Sequence, residues 1–138
     1  YEPGEVKVVA YNKDGKAVAE KTVRTAGKPH HIELVSNRNE LTADGKDLAY
    51  VTVKVVDKDG NLCPTDSRLI HFSVKGAGKF RAVANGDPTN LEQFHLPKMH
   101  AFHGMLTAIV QAGEIAGDLV LTAKASGVKT GTVHLQAK

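Results

Sequence analysis

From Leu41 to Gly60 the chain reads LTADGKDLAYVTVKVVDKDG, and its middle alternates without a break. Ala49, Val51, Val53 and Val55 fall on one side, Tyr50, Thr52 and Lys54 on the other. A period of two marks a strand with one face buried. Asp44-Gly45 precedes this strand and Asp59-Gly60 follows it. Both pairs form turns, because Gly accepts positive φ and Asp bonds to nearby backbone. A long β-branched strand between two tight reversals predicts the central strand of a two-sheet sandwich.

The same period recurs along the chain. Val6 and Val8 alternate with Lys7 and Val9, Asn12-Lys13-Asp14-Gly15 makes a turn, and Val18 to Val23 returns. Residues 1–27 therefore read as a β-hairpin, which is marginal in water without a partner. It is expected to pair either with the domain that follows or, as the tail end of a preceding β-sandwich domain, with one cut away, the chain starting without Met and in strand pattern almost at once. Ala26-Gly27-Lys28-Pro29 reads as a linker, with Pro29 holding Lys28 extended. Residues 28–138 then form the main domain. Ile32 and Leu34 open it. Ile70, Phe72 and Val74 follow the central strand, then Phe80 to Ala84 after the breaks at Gly76 and Gly78. Asn85-Gly86-Asp87-Pro88 stops that strand, and Thr89 to His100 shows no period of either kind. Met105 to Val110 is apolar enough to be buried on both faces. Leu119 to Ala125 and Val133 to Ala137 complete the set. No segment holds a helical period over two turns. The prediction is an all-β chain, an immunoglobulin-like β-sandwich of about seven strands plus the N-terminal hairpin.

Composition narrows the possibilities. With 138 residues, 41% hydrophobic and 24% charged, the chain can bury a core without staples. Its 18 basic and 15 acidic residues are interspersed, so no basic run points to nucleic acid or lipid. No window approaches the ~18 apolar residues of a membrane span. The single cysteine, Cys63, has no partner for an internal disulfide.

Candidate chemistry is sparse. Among the seven histidines, His95, His100 and His103 are weak metal candidates if the long loop curls; Glu92 is the close carboxylate. A solvated loop is the simpler reading. Asp57 to Asn61 resembles a calcium loop only faintly: Gly60 is fourth rather than sixth, and Arg68 occupies the twelfth position that demands Glu. Its acids read as turn residues. There is no G-x-S-x-G elbow, no H-E-x-x-H motif and no phosphate-cradling loop, and nothing indicates a pocket. No catalytic or cofactor-binding residue is assigned, and no cofactor is expected. Cys63 is followed by Pro64 and lacks an obvious base. With no Trp, and with Tyr1 and Tyr11 in the hairpin, an aromatic platform for a sugar ring is hard to build.

LTADGKDLAYVTVKVVDKDGNLCP, then Asn85-Gly86-Asp87-Pro88, Glu92-Gln93-Phe94 and Ala101-Phe102-His103-Gly104 together resemble the C-terminal β-sandwich domain of family 2 glycoside hydrolases of the β-galactosidase type. YEPGEVKVVAYNKDGK and Thr25 to Pro29 resemble the closing hairpin of the preceding domain in such enzymes. The turn residues Asp44, Gly45, Asp57, Gly60, Asn85, Gly86, Asp87 and Pro88 are the structural motif carried by the match. His103 departs from it, standing where Asn is expected. The resemblance implies a bacterial parent, periplasmic or secreted, that hydrolyses β-linked sugars with two glutamates on a (β/α)₈ barrel. No segment here matches those glutamates. The implied role is an accessory, non-catalytic domain whose partners are the other domains of its chain. Carbohydrate near the parent active site and a homo-oligomer remain open, with no nucleic acid and no membrane. Two alternatives stay open: an immunoglobulin-like repeat of an invasin or intimin-type adhesin, whose ADG-D-x-x-VTV-x-V pattern is similar, and a carbohydrate-binding module.

Overall fold

The structure, a computed structural model, describes residues 1–138. Its strands are β1 (Glu5–Tyr11), β2 (Ala17–Arg24), β3 (His31–Ser36), β4 (Glu40–Leu41), β5 (Leu48–Val56), β6 (Leu69–Gly76), β7 (Gly78–Ala84), β8 (Lys98–His100), β9 (Met105–Ala112), β10 (Gly117–Lys124) and β11 (Gly131–Ala137), with no helix. One sheet orders its strands β3-β5-β9-β7, the other β4-β11-β10-β6-β8, and β1-β2 stands as a separate ribbon. The long strands of the two sheets reproduce the immunoglobulin arrangement of four strands facing three. The expected strands are all present. The structure adds β4 and β8, edge strands of two and three residues, too short to carry a period.

The central strand is β5. Ala49, Val51, Val53 and Val55 are completely buried, and β5 pairs with β3 on one side and β9 on the other. Opposite them, Leu119, Leu121 and Ala123 of β10 and Ile70 and Phe72 of β6 close the core. The Phe72 and Phe80 rings stack across the two sheets at 5.9 Å. One expectation needs correcting: β9 is not buried on both faces. Leu106, Ala108, Val110 and Ala112 point inward, Thr107 is exposed, and Met105 and Ile109 are half-buried. Its outward apolar run exists because Ile109 sits between Tyr50 and Ala82 on the outer face of the sheet, where cross-strand pairing replaces burial.

The ribbon has two unlike faces. Val6 pairs with Val23, Val8 with Lys21 and Ala10 with Ala19 on one face. On the other, Arg24 Nε meets Glu5 Oε2 at 2.5 Å and Lys7 Nζ meets Glu20 Oε2 at 2.9 Å. The apolar face is uncovered: Val6, Val8 and Val23 are 68%, 64% and 62% exposed.

The register places the connections at two ends of the sandwich. His31 lies opposite Val56, Lys54 opposite Met105, Thr107 opposite Ala84, and Leu69 opposite His100. The linker to the ribbon, the Asp57–Asn61 turn, the Asn85–Pro97 loop and the Phe102–Met105 turn therefore share one end. The far end carries the Ala43–Asp47 and Gly113–Ala116 turns.

Candidate functional site

The linker end holds the chain's one buried charged residue, Asp57, at the end of β5. Its Oδ1 accepts from the backbone N–H groups of Asp59 and Asn61 at 2.9 and 2.8 Å. Its Oδ2 accepts from Gly27 N–H at 2.8 Å and Asn61 Nδ2 at 3.0 Å. The Asp57 turn thus reaches 30 residues back to clamp the linker. His30 N–H donating to the Val56 carbonyl and Lys129 N–H donating to the His30 carbonyl secure the next residues. The donors, led by Gly27 N–H, hold the Asp57 carboxyl down to about 2. A depressed carboxylate stabilises the fold above its unfolded value of about 3.9 and loses that contribution as pH falls through about 2. Asp57→Asn should leave the sandwich folded but speed amide exchange at Gly27 by roughly tenfold or more, with little change at core amides of β5. Equal acceleration throughout would mean that Asp57 serves the core and not the linker.

Beside this clamp, Asp66 and Arg68 form a forked pair. Arg68 Nε lies 2.9 Å from both carboxylate oxygens of Asp66, Nη2 lies 2.7 Å from Oδ2, and Nη1 donates to the Ser126 carbonyl at 2.6 Å. Burial pushes the Asp66 carboxyl up, but the bonds and charge of Arg68 outweigh it and the net displacement is downward. Cys63 is buried with its thiol pushed up, first by burial and then by Asp57 and Asp66. A thiol of that kind is a packing group at neutral pH rather than a nucleophile.

The other motif residues take turn roles. Asp44 Oδ1 accepts from Lys46 and Asp47 N–H at 2.8 Å, and Gly45 N–H donates to the Gly113 carbonyl at 3.1 Å. Asn85 Oδ1 accepts from Asp87 N–H at 3.0 Å, past Gly86. Asp87 Oδ1 accepts from Thr89 N–H and Oγ1 at 2.8 and 2.7 Å, and Asn90 N–H closes on the Asp87 carbonyl around Pro88. Asn85 Nδ2 donates across the loop to the His100 carbonyl at 3.0 Å. Glu92 meets His100 twice, Oε1 to Nδ1 at 2.9 Å and Oε2 to N–H at 3.1 Å. The aperiodic stretch is thus a loop bound by its own Asn, Asp and Glu side chains. Sequence period could not reveal these partners.

His95 lies in the exposed Gln93–Leu96 turn, His100 on Glu92, and the His103 ring tilts against Phe102 at 4.1 Å. No group of three or more His, Cys, Asp or Glu is placed to hold a metal ion. His103 has φ 50° and Gly104 φ 74°, and Phe102 and Met105 exchange both backbone hydrogen bonds around them. Positive φ at both central residues of a two-residue hairpin is the type I′ pattern, where Asn outranks His. His103→Asn should raise stability by about 0.5 kcal/mol, read as a higher urea midpoint at unchanged slope; an unchanged midpoint would show that the Phe102 contact offsets the backbone gain.

The structure also has clefts where the sequence indicated none. One of about 680 Å³ opens at the far end, lined by Gly45 and by the segments 76–79 and 112–118. Another of about 550 Å³ lies between the ribbon and the sandwich, bordered by Arg24, Gly27, Lys54 and Cys63. The first forms where turns distant in sequence meet, the second where β2 and the linker face the segment 60–65.

The acids at the linker end of this two-sheet sandwich, buried Asp57 and half-buried Asp66, are engaged in internal bonds. Residues 32–134 match the glycoside hydrolase family 2 C-terminal domain 5 model, and the chain belongs to that family. A β-galactosidase of Bacteroides ovatus is 44% identical over the full 138 residues, which span 16% of that protein. A solved glycosyl hydrolase family 2 member from Bacteroides cellulosilyticus superposes with TM-score 0.89 and 32% identity, over 100% of this chain and 18% of that one. The chain thus spans less than a fifth of these relatives. An adhesin of Yersinia pseudotuberculosis matches 75% of the chain and 26% of its own at TM-score 0.50 and 22% identity, a likeness of fold alone; the adhesin alternative is not favoured.

Proposed function

We propose that the chain is a non-catalytic joining domain of a larger β-galactosidase-like hydrolase, acting on β-linked sugars through another part of the polypeptide. The observation that carries this reading is the ribbon. A two-stranded sheet with one ion-paired face and one bare face of Val6, Val8 and Val23 is an incomplete structure. Residues 1–27 complete the sheet of a preceding domain with that bare face inward, and residues 28–138 form the accessory sandwich. The Asp57–Gly27 bond fixes the angle between the two. The purified chain should show no turnover of nitrophenyl β-galactoside or β-glucuronide. Turnover that disappears on substituting one of its carboxylates would overturn the reading.

A further inference from the structure

We propose that the Leu91–Leu96 loop is a docking surface for a domain on the N-terminal side of the same polypeptide, making a second point of attachment besides the ribbon. The inference rests on the reading that the chain is one domain of a longer protein.

Leu91 is 96% exposed and Phe94 58%, with Leu96 also open to solvent. Large apolar side chains displayed together on one loop mark a contact surface more often than a solvated one. The loop is stiff. Asn85, Asp87, Asn90 and Glu92 tie it to itself and to His100, and Val83 N–H donates to the Phe94 carbonyl at 2.8 Å. The ordering cost of binding is therefore already met within the domain.

The position selects the occupant. The loop leaves β7 after Ala84, at the end of the sandwich that also holds the linker and the Asp57 clamp, and away from the Ala43–Asp47 and Gly113–Ala116 turns. The loop leaves the edge strand β7 and the linker enters at the opposite edge strand β3. A body attached through the ribbon therefore reaches the loop by extending over that end of the sandwich across three strand spacings, roughly 14 Å. Size points the same way. The three side chains offer on the order of 400 Å², about half of the ~800 Å² per partner of a stable association between separate molecules. For a tethered domain that area suffices, because a short linker gives millimolar effective concentration.

A benzophenone side chain placed at position 94 or, separately, at position 8 of the longer polypeptide identifies each contact by mass spectrometry after irradiation. The expected result is an intramolecular cross-link from position 94 to a peptide preceding Tyr1. A link to a second copy, or none, overturns the inference; position 8 linking alone leaves the joining role of the ribbon intact, whereas silence at both positions removes that role as well. Leu91→Asp with Phe94→Ser supplies the energetic arm. It should leave the melting of the 138-residue chain unchanged and raise hydrogen exchange of residues 85–100 in the longer protein; equal exchange in both proteins before and after substitution overturns the inference.

Discussion

Val53→Asp is expected to abolish cooperative folding. Val53 has no exposed surface and sits mid-strand in β5, opposite Leu34 on β3 and Leu106 on β9. Its side chain lies in the core shared with Leu119 and Leu121, where no polar group waits for a carboxylate. An unpaired acid there either stays ionised at great desolvation cost or takes up a proton and leaves its oxygens unbonded. Either outcome costs on the order of several kcal/mol, against a total stability of about 5–15 kcal/mol. Tyr50→Asp, three residues earlier and on the exposed face of the same strand, should change stability by less than about 1 kcal/mol. Circular dichroism and urea titration of the pair test the face assignment. A soluble Val53→Asp protein that melts cooperatively, or a Tyr50→Asp protein that does not, would reverse it.

That contrast was legible in the sequence because β5 is long enough to show its period. Nine residues give four inward positions in register, and the flanking Asp-Gly pairs mark its ends. The turns at Asp44-Gly45, Asp59-Gly60 and Asn85–Asp87 were legible for a similar reason: Asp44 bonds Lys46, Gly60 bonds Asp57 and Asn85 bonds Asp87, each within a few residues. What sequence could not supply is distance. Asp57 announced a turn, but its bond to Gly27 spans 30 residues, and no local pattern encodes it. The Asp66–Arg68 pair is not legible in the sequence because two residues of spacing in a loop carry no signal until the chain folds Arg68 onto Ser126. β9 differs from its sequence pattern because an apolar composition does not distinguish burial from cross-strand pairing on an outer face. The loop before β8 read correctly as aperiodic, yet its order comes from side-chain bonds that periodicity does not measure.

Gly104→Ala is the second substitution with a large expected effect, and it separates conformational strain from lack of space. Gly60 and Gly104 both have positive φ, 83° and 74°. Around Gly60 an added Cβ meets nothing within 4 Å, so Gly60→Ala carries only the left-handed penalty of about 1–2 kcal/mol. At Gly104 the same atom would overlap the Cys63 carbonyl oxygen and crowd Leu62. Neither side can yield cheaply. Gly104 N–H donates to the Asp66 carbonyl at 2.9 Å, Val55 N–H donates to the Gly104 carbonyl at 2.9 Å, and Cys63 N–H donates to the Val55 carbonyl at 2.9 Å. Relief of the overlap must lengthen at least one of these buried bonds, at about 1–3 kcal/mol each. Gly104→Ala should therefore cost about 2–5 kcal/mol, more than Gly60→Ala, in urea titrations of the two variants side by side. Equal costs would show that the Cys63–Arg68 segment moves freely. The Asp66–Arg68 fork would then not be holding the loop against the Phe102–Met105 turn, and Arg68→Ala in the Gly104→Ala background would add nothing further.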